Sequence, residues 1–236
     1  MAATKKPELL KDNLEGKIFV IIPGLNEEKH IGDVILRVKR QGFRNIIFVD
    51  DGSKDNSSSV AKKSGAVVLR HVVNLGKGAA AKTGCDYALK CGAKILVLMD
   101  ADGQHRPEDI PRLIAALTNN DIVFGYRHLN RNMPLMMRVG NRTINTTSRI
   151  INGLDLRDTQ SGFRCMTSDA YKKVRWQSSN YSMESEMIAN VARHKLRYTE
   201  IPIDTIYHDN FKGTTVADGI KVFINILRFR FLGGKQ

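Results

Sequence analysis

The chain reads as an α/β layer protein on a mostly parallel central sheet flanked by helices, and three observations predict this. Short β-branched apolar runs alternate with helical segments from Lys17 to Gly125. Those runs carry no polar alternation, as strands covered on both faces do not. Each run ends in polar residues punctuated by Gly or Pro, the composition of turns at one sheet edge. In order, the first strand is 17–22 (KIFVII), turning at Pro23-Gly24. A helix over 27–41 follows, because Ile31, Val34, Ile35 and Val38 recur at i, i+3, i+4 and i+7. Strand 45–49, a helix near 57–64, strand 66–70 and helix 79–90 come next. Strand 94–99, helix 107–117 and strand 121–125 complete this half, with Pro107 where a missing N–H does no harm.

Beyond Gly125 the pattern changes to a basic helix over 133–151, a short strand at 161–166, a helix at 184–194 and a strand at 197–203. A polar loop at 208–215 precedes an amphipathic helix, 216–232, with Val216, Ile220, Phe223, Ile224, Leu227 and Phe231 on one face. Residues 1–16 read as a polar, Lys-rich leader and 17–232 as one domain.

Lys and Arg number 37 against 24 Asp and Glu, a formal charge of +13, which calls for an anionic partner: nucleic acid, an anionic bilayer or a phosphorylated substrate. A single Trp and the lack of a nucleic-acid motif argue against the first. No apolar run approaches the roughly 20 residues of a membrane span, and the start, MAATKKPELLKD, has no apolar signal region. Cys85, Cys91 and Cys165 are an odd count without a C-x-x-C pair, against a disulfide framework and for a reducing, cytoplasmic setting.

In open parallel sheets ligands bind beyond the carboxyl ends of the strands, and the polar clusters fall there. Asp100-Ala-Asp102-Gly-Gln104 sets two carboxylates and an amide oxygen at a strand exit. Such oxygens suit a hard divalent cation completed by phosphates and water, and the pattern favours that over a helix-capping Asp. Asp50-Asp51-Gly52-Ser53 is either a turn or an acceptor for a nucleobase N–H. Gly76-Lys77-Gly78, just before a helix, is either a phosphate cradle or a simple turn, and is no P-loop.

Pro23-x-x-Asn26-Glu27, Asp50-Asp51-Gly52-Ser53, Gly76-Lys77-Gly78, Asp100-Ala-Asp102-Gly-Gln104 and Ser161-Gly162-Phe163-Arg164, in this order and spacing, resemble family 2 glycosyltransferases. More narrowly they resemble the dolichyl-phosphate mannose synthase and polyprenyl-phosphate hexosyltransferase branch. The resemblance implies a GT-A type, Rossmann-like fold, a UDP- or GDP-linked sugar donor, Mg²⁺ or Mn²⁺, and inversion at the anomeric carbon. It divides the domain into a nucleotide-sugar half, 17–127, and an acceptor half, 128–215. It sets Pro23, Leu25, Glu27, Val49 and Asp51 around base and ribose. Asp100, Ala101, Asp102 and Gln104 fall on metal and diphosphate, with Asp100, Asp102 and Gln104 as ligands. Lys77, Arg127, His208 and Lys212 fall on the donor, and Arg127, Arg138, Arg142, Ser161 and Arg164 on the acceptor phosphate. Leu25 stands where relatives often carry an aromatic, and the closing loop reads Phe211-Lys212-Gly213-Thr214 in place of a Ser-Lys pair.

Catalytic roles then follow for Asp102, Arg127 and Glu184. A lipid phosphate, with a second pKa of about 6, is a competent nucleophile positioned by Arg. A sugar hydroxyl would instead need a base, for which Glu184 is the candidate, unless it merely caps its helix. The charge and the terminal helix imply a peripheral position on the cytoplasmic face of a membrane, alone or docked to an integral partner.

Overall fold

The computed structural model describes residues 15–127, 146, 149–150, 152–180 and 182–206. The expected leader, most of the basic helix, the 208–215 loop and the terminal amphipathic helix, with Arg138, Arg142, His208 and Lys212, lie outside the described residues.

Strands β1 (Ile18–Gly24), β2 (Asn45–Asp50), β3 (Val67–Arg70) and β4 (Ile95–Leu98) alternate with helices α1 (Ile31–Arg40), α2 (Ser57–Lys63) and α3 (Lys77–Lys90). Helix α4 (Ile110–Ala116) leads to β5 (Ile122–Arg127). There follow β6 (Arg164–Thr167), α5 (Ser168–Val174), α6 (Met183–Arg193) and β7 (Tyr198–Ile203). The strands form one seven-stranded sheet in the order β3-β2-β1-β4-β6-β5-β7. All pairings are parallel except those of β6, which runs against β4 and β5. Strand order reverses between β1 and β4, so their carboxyl ends open the crevice at the switch point.

Successive strand residues enter opposite core layers. Phe19, Ile21, Ile47 and Val49 pack with α3, α5 and α6 on one face. Ile18, Val20, Ile22, Ile46 and Phe48 pack with α1, α2 and α4 on the other. Each fully buried side chain of this size contributes about 1.5–3 kcal/mol, which is why both faces of β1 and β4 are apolar.

The 107–117 helix is shorter than its pattern suggested. Residues Pro107–Asp109 form a 3₁₀ turn before α4, and Leu117–Asn119 another after it. A continuous α-helix from 107 would need an N–H at 111 to meet the Pro107 carbonyl, and Pro111 has none. Helix α5 was not anticipated. It is short, and Thr167 caps it by accepting the Ala170 N–H at 3.1 Å.

Candidate active site

The β1 and β2 exits are stitched to one another. Asn26, in the left-handed region at φ 58°, donates its N–H to Ser53 Oγ (2.9 Å) and accepts the Lys54 N–H on Oδ1 (2.8 Å). Glu27 N–H reaches Ser57 Oγ at 2.7 Å. Asn tolerates this backbone better than most residues, which accounts for Asn at this place in Pro23-x-x-Asn26-Glu27. Asp51 is buried, and both its oxygens are engaged: Oδ1 accepts Leu75 N–H at 2.9 Å, Oδ2 accepts Gly76 N–H at 2.8 Å, and His71 Nδ1 lies 2.7 Å from Oδ1. Its carboxylate thus fastens the β3–α3 loop. Val49 and Pro23 are also buried, Val49 in the core, so that residue offers a ligand only its main chain. Leu25 and Glu27 remain at the rim.

At the centre, Lys77 Nζ is 2.7 Å from Asp100 Oδ1 and 3.4 Å from Glu184 Oε1. These come from the start of α3, the exit of β4 and the first turn of α6. Gly162 closes the group: a Cβ there would stand 2.8 and 2.9 Å from the Asp100 oxygens and 3.0 Å from Nζ, so Gly is required by proximity. Burial raises the Asp100 carboxyl, but the charges of Lys77 and His105 outweigh it and hold it down at about 2. Asp100 is therefore ionised at neutral pH while its side chain stays 26% exposed. Asp102 is partly exposed and accepts the Gln104 N–H on Oδ1 at 2.9 Å. Ala101 is buried beneath them.

His105, which sequence reasoning passed over, accepts the Asp100 N–H on Nδ1 at 3.1 Å and stacks on Phe163 at 5.0 Å. Burial pushes its pKa down against the pull of Asp100 and Asp102. The residue was legible only as the one following Gln104.

Two of the amides at the start of α3 are already taken. Ala79 N–H is taken by the Ser179 carbonyl at 3.0 Å and Gly76 N–H by Asp51. A Cβ on Gly78 would lie 2.5 Å from the Ser178 carbonyl. Glu186 holds this covering loop, accepting from Gln177 N–H, Ser178 N–H and Ser178 Oγ–H at 2.8, 2.9 and 2.6 Å. What the Gly76-Lys77-Gly78 segment presents to the crevice is the Lys77 ammonium.

Arg127, at the end of β5, is aligned by Asp158, with Nε 2.7 Å from Oδ2 and Nη2 3.2 Å from Oδ1. Ser161 is buried and accepts Phe163 N–H at 3.4 Å. Arg164 departs from its expected role at the acceptor phosphate. Its side chain is 0% exposed, donating to the Ser161 and Thr159 carbonyls at 3.0 and 3.1 Å and packing over Phe124. The guanidinium is a strut behind the crevice, and burial lowers its pKa. Glu184 does more than start a helix: it is 2% exposed, and its Oε2 has no hydrogen-bond partner among the described residues.

Among the described residues no group of three or more His, Cys, Asp or Glu converges on one point. The donor set at the β4 exit is nevertheless that of an ion shared with a ligand, two carboxylates and an amide, with one carboxylate ionised and open to the crevice. Asp100, Asp102 and Gln104 therefore fit a hard divalent cation.

The same residues lie inside a match to the family model Glycosyl transferase family 2, which covers residues 19–175. A Methanocaldococcus jannaschii protein without an assigned function is 38% identical over 221 residues, covering 89% of this chain and 91% of that relative. A Methanococcus voltae protein named UDP-N-acetylglucosamine–dolichyl-phosphate N-acetylglucosaminyltransferase is 35% identical over 240 residues, covering 90% and 96%. The polyprenol monophosphomannose synthase of Mycolicibacterium smegmatis is 30% identical over 202 residues, covering 79% and 76%. Among solved structures, glucosyl-3-phosphoglycerate synthase from Mycobacterium tuberculosis with Mg²⁺ and uridine diphosphate superposes with a TM-score of 0.75 at 21% identity, over 98% of this chain and 85% of that one. The fold is accordingly GT-A. With the sheet, the switch-point crevice and the family match in agreement, the chain belongs to glycosyl transferase family 2 and is a glycosyltransferase.

Proposed function

We propose that the protein moves a hexose, with inversion, from a UDP- or GDP-linked donor to a dolichyl or polyprenyl phosphate at a membrane surface. The observation that carries this is the convergence of Asp100, Lys77, Glu184 and Gly162 at the switch point; relatives named for dolichyl and polyprenol phosphate transfer support the acceptor class.

Asp100, Asp102 and Gln104 are the residues that would hold Mg²⁺ or Mn²⁺, which when bound supplies Lewis-acid stabilisation to a departing diphosphate. Pro23, Leu25, Glu27 and the main chain of Val49 flank the base and ribose, and Asp51 acts there through the loop it fastens. Lys77 places a positive charge beside the departing phosphates. Arg127, held rigid by Asp158, presents the acceptor phosphate to the anomeric carbon, with Arg138 and Arg142 as further acceptor contacts and His208 and Lys212 on the donor. A largely dianionic phosphate needs orientation more than deprotonation. The test is a donor panel with a short polyprenyl phosphate and Mg²⁺ or Mn²⁺: a charged glycolipid product is expected, and its absence with every donor defeats the proposal.

A second acceptor, a sugar hydroxyl, is favoured by the buried Glu184, whose Oε2 has no partner among the described residues, since a carboxylate so placed can serve as a base. Glu184→Gln separates the two. Near-total loss of transfer marks hydroxyl chemistry; a modest loss marks a phosphate nucleophile.

A further inference from the structure

Lys77 stands between two acids with unequal commitments. Its Nζ lies 2.7 Å from Asp100 Oδ1 and 3.4 Å from Glu184 Oε1. Asp100 belongs to the donor set for a divalent ion. Glu184 is enclosed and carries, in Oε2, an oxygen that no described residue satisfies, so it can accept more from an ammonium than it now does. Lysine is suited to move between such stations: a compact point charge with three donors on a flexible four-carbon stem. The Asp100 carboxylate can hold the ammonium or a divalent ion at contact distance, but both together on one carboxylate repel one another.

We propose that Lys77 is a displaceable internal counter-cation. Before the donor enters, it neutralises Asp100. When a divalent cation and a nucleoside diphosphate arrive together, the diphosphate brings the negative charge that offsets the added cation, and the ammonium shifts toward Glu184 and the phosphates. Metal and nucleotide binding are thereby coupled, each tightening the other by the same factor. The proposal rests on the nucleotide and metal part of the function above, not on the identity of sugar or acceptor.

The experiment measures Mn²⁺ binding to the full chain by the electron paramagnetic resonance of free Mn²⁺, alone and with UDP or GDP. Wild type should bind Mn²⁺ weakly alone and at least about tenfold more tightly with its nucleotide. Lys77→Met should raise nucleotide-free affinity at least about tenfold and shrink the nucleotide-dependent gain. A residue that merely supports the fold would not raise affinity when removed. Lys77→Gln serves in the same way should the Met variant fail to fold by circular dichroism. Glu184→Gln weakens the second station and should reduce the nucleotide-dependent gain. Lys77 variants that bind Mn²⁺ no more tightly than wild type overturn the proposal while the function stands. A wild type that binds neither Mn²⁺ nor either nucleotide overturns both.

Discussion

Asp102 and Arg164 both belong to motifs that the sequence displays openly, yet they sit in opposite surroundings. Asp102 is partly exposed, and its one described hydrogen bond, from Gln104 N–H to Oδ1, survives replacement by Asn because the amide keeps that oxygen. Asp102→Asn should therefore lower metal-dependent transfer by at least about a hundredfold, the scale of a lost charge on a metal. The melting temperature should stay within a few degrees, and normal turnover would contradict the metal assignment. Arg164 is the reverse case. Arg164→Leu strands the Ser161 and Thr159 carbonyls and removes positive charge from beside Glu184, Asp158 and Asp100. Denaturant titration should show a loss of about 2–4 kcal/mol. A motif names chemistry but not depth: nothing in Ser161-Gly162-Phe163-Arg164 says that the guanidinium points inward. His105 was hidden for a related reason, since its role depends on Asp100 and Phe163 meeting it in space.

Helix α3 is fixed through a single peptide unit of its first turn, Gly78–Ala79. Trp176 Nε1–H donates to the Gly78 carbonyl at 2.8 Å, and the Ser179 carbonyl receives Ala79 N–H. Gly78→Ala would drive a methyl into the Ser178 and Asn180 carbonyls and should cost about 1–3 kcal/mol by chemical denaturation. Faster hydrogen exchange at the Ala79 amide is expected with it. The strands of the first half were readable to within two residues, the central ones because burial on both faces leaves a continuous apolar run; β6 begins three residues later than the 161–166 expected. Helix α1 was readable because its apolar stripe is periodic. Helix α5 follows β6 without an intervening turn, so no break in the sequence announced it, and the division of the 107–117 segment hinged on Pro111 standing four residues after Pro107. The covering loop at 177–180 was not legible at all, since its tie to Glu186 joins parts of the chain that no local pattern connects.

Across the molecule, Asp50, Asp86, Asp100, Asp121 and Glu108 are held below their ordinary values. Arg197 does this for Asp121 and Arg37 for Glu108; at Asp50, Asp86 and Asp100, hydrogen bonds and nearby cations overcome burial. A depressed carboxyl stabilises the fold above its unfolded pKa, near 4, and that stability is lost as pH falls through the folded value. For Asp100 the window runs from about 4 down to about 2, and its share is about 2 kcal/mol. Denaturation midpoints should thus hold from neutrality to about pH 4 and then fall steeply; in Lys77→Met the Asp100 part of that fall moves to higher pH. Among the described residues no helix is long and apolar enough to cross a membrane. The proposed membrane-surface role, at a charge of +13, predicts an electrostatic share in binding. Binding to anionic liposomes should weaken as salt rises from about 0.1 to 1 M, over which the screening length drops roughly threefold.

Strand β6 is antiparallel to both its neighbours, pairing Arg164 with Leu98 on one side and Phe124 on the other. A reversed strand enters the sheet at the rim where its neighbours exit. The excursion that departs after Arg127 and returns at Ser161-Gly162-Phe163 therefore starts and finishes beside the crevice. Insertions or deletions within it can remodel the entrance while every ladder keeps its alignment. Diversification of acceptors on this scaffold should concentrate in that stretch, whose anchoring ends stay put while its middle is rewritten.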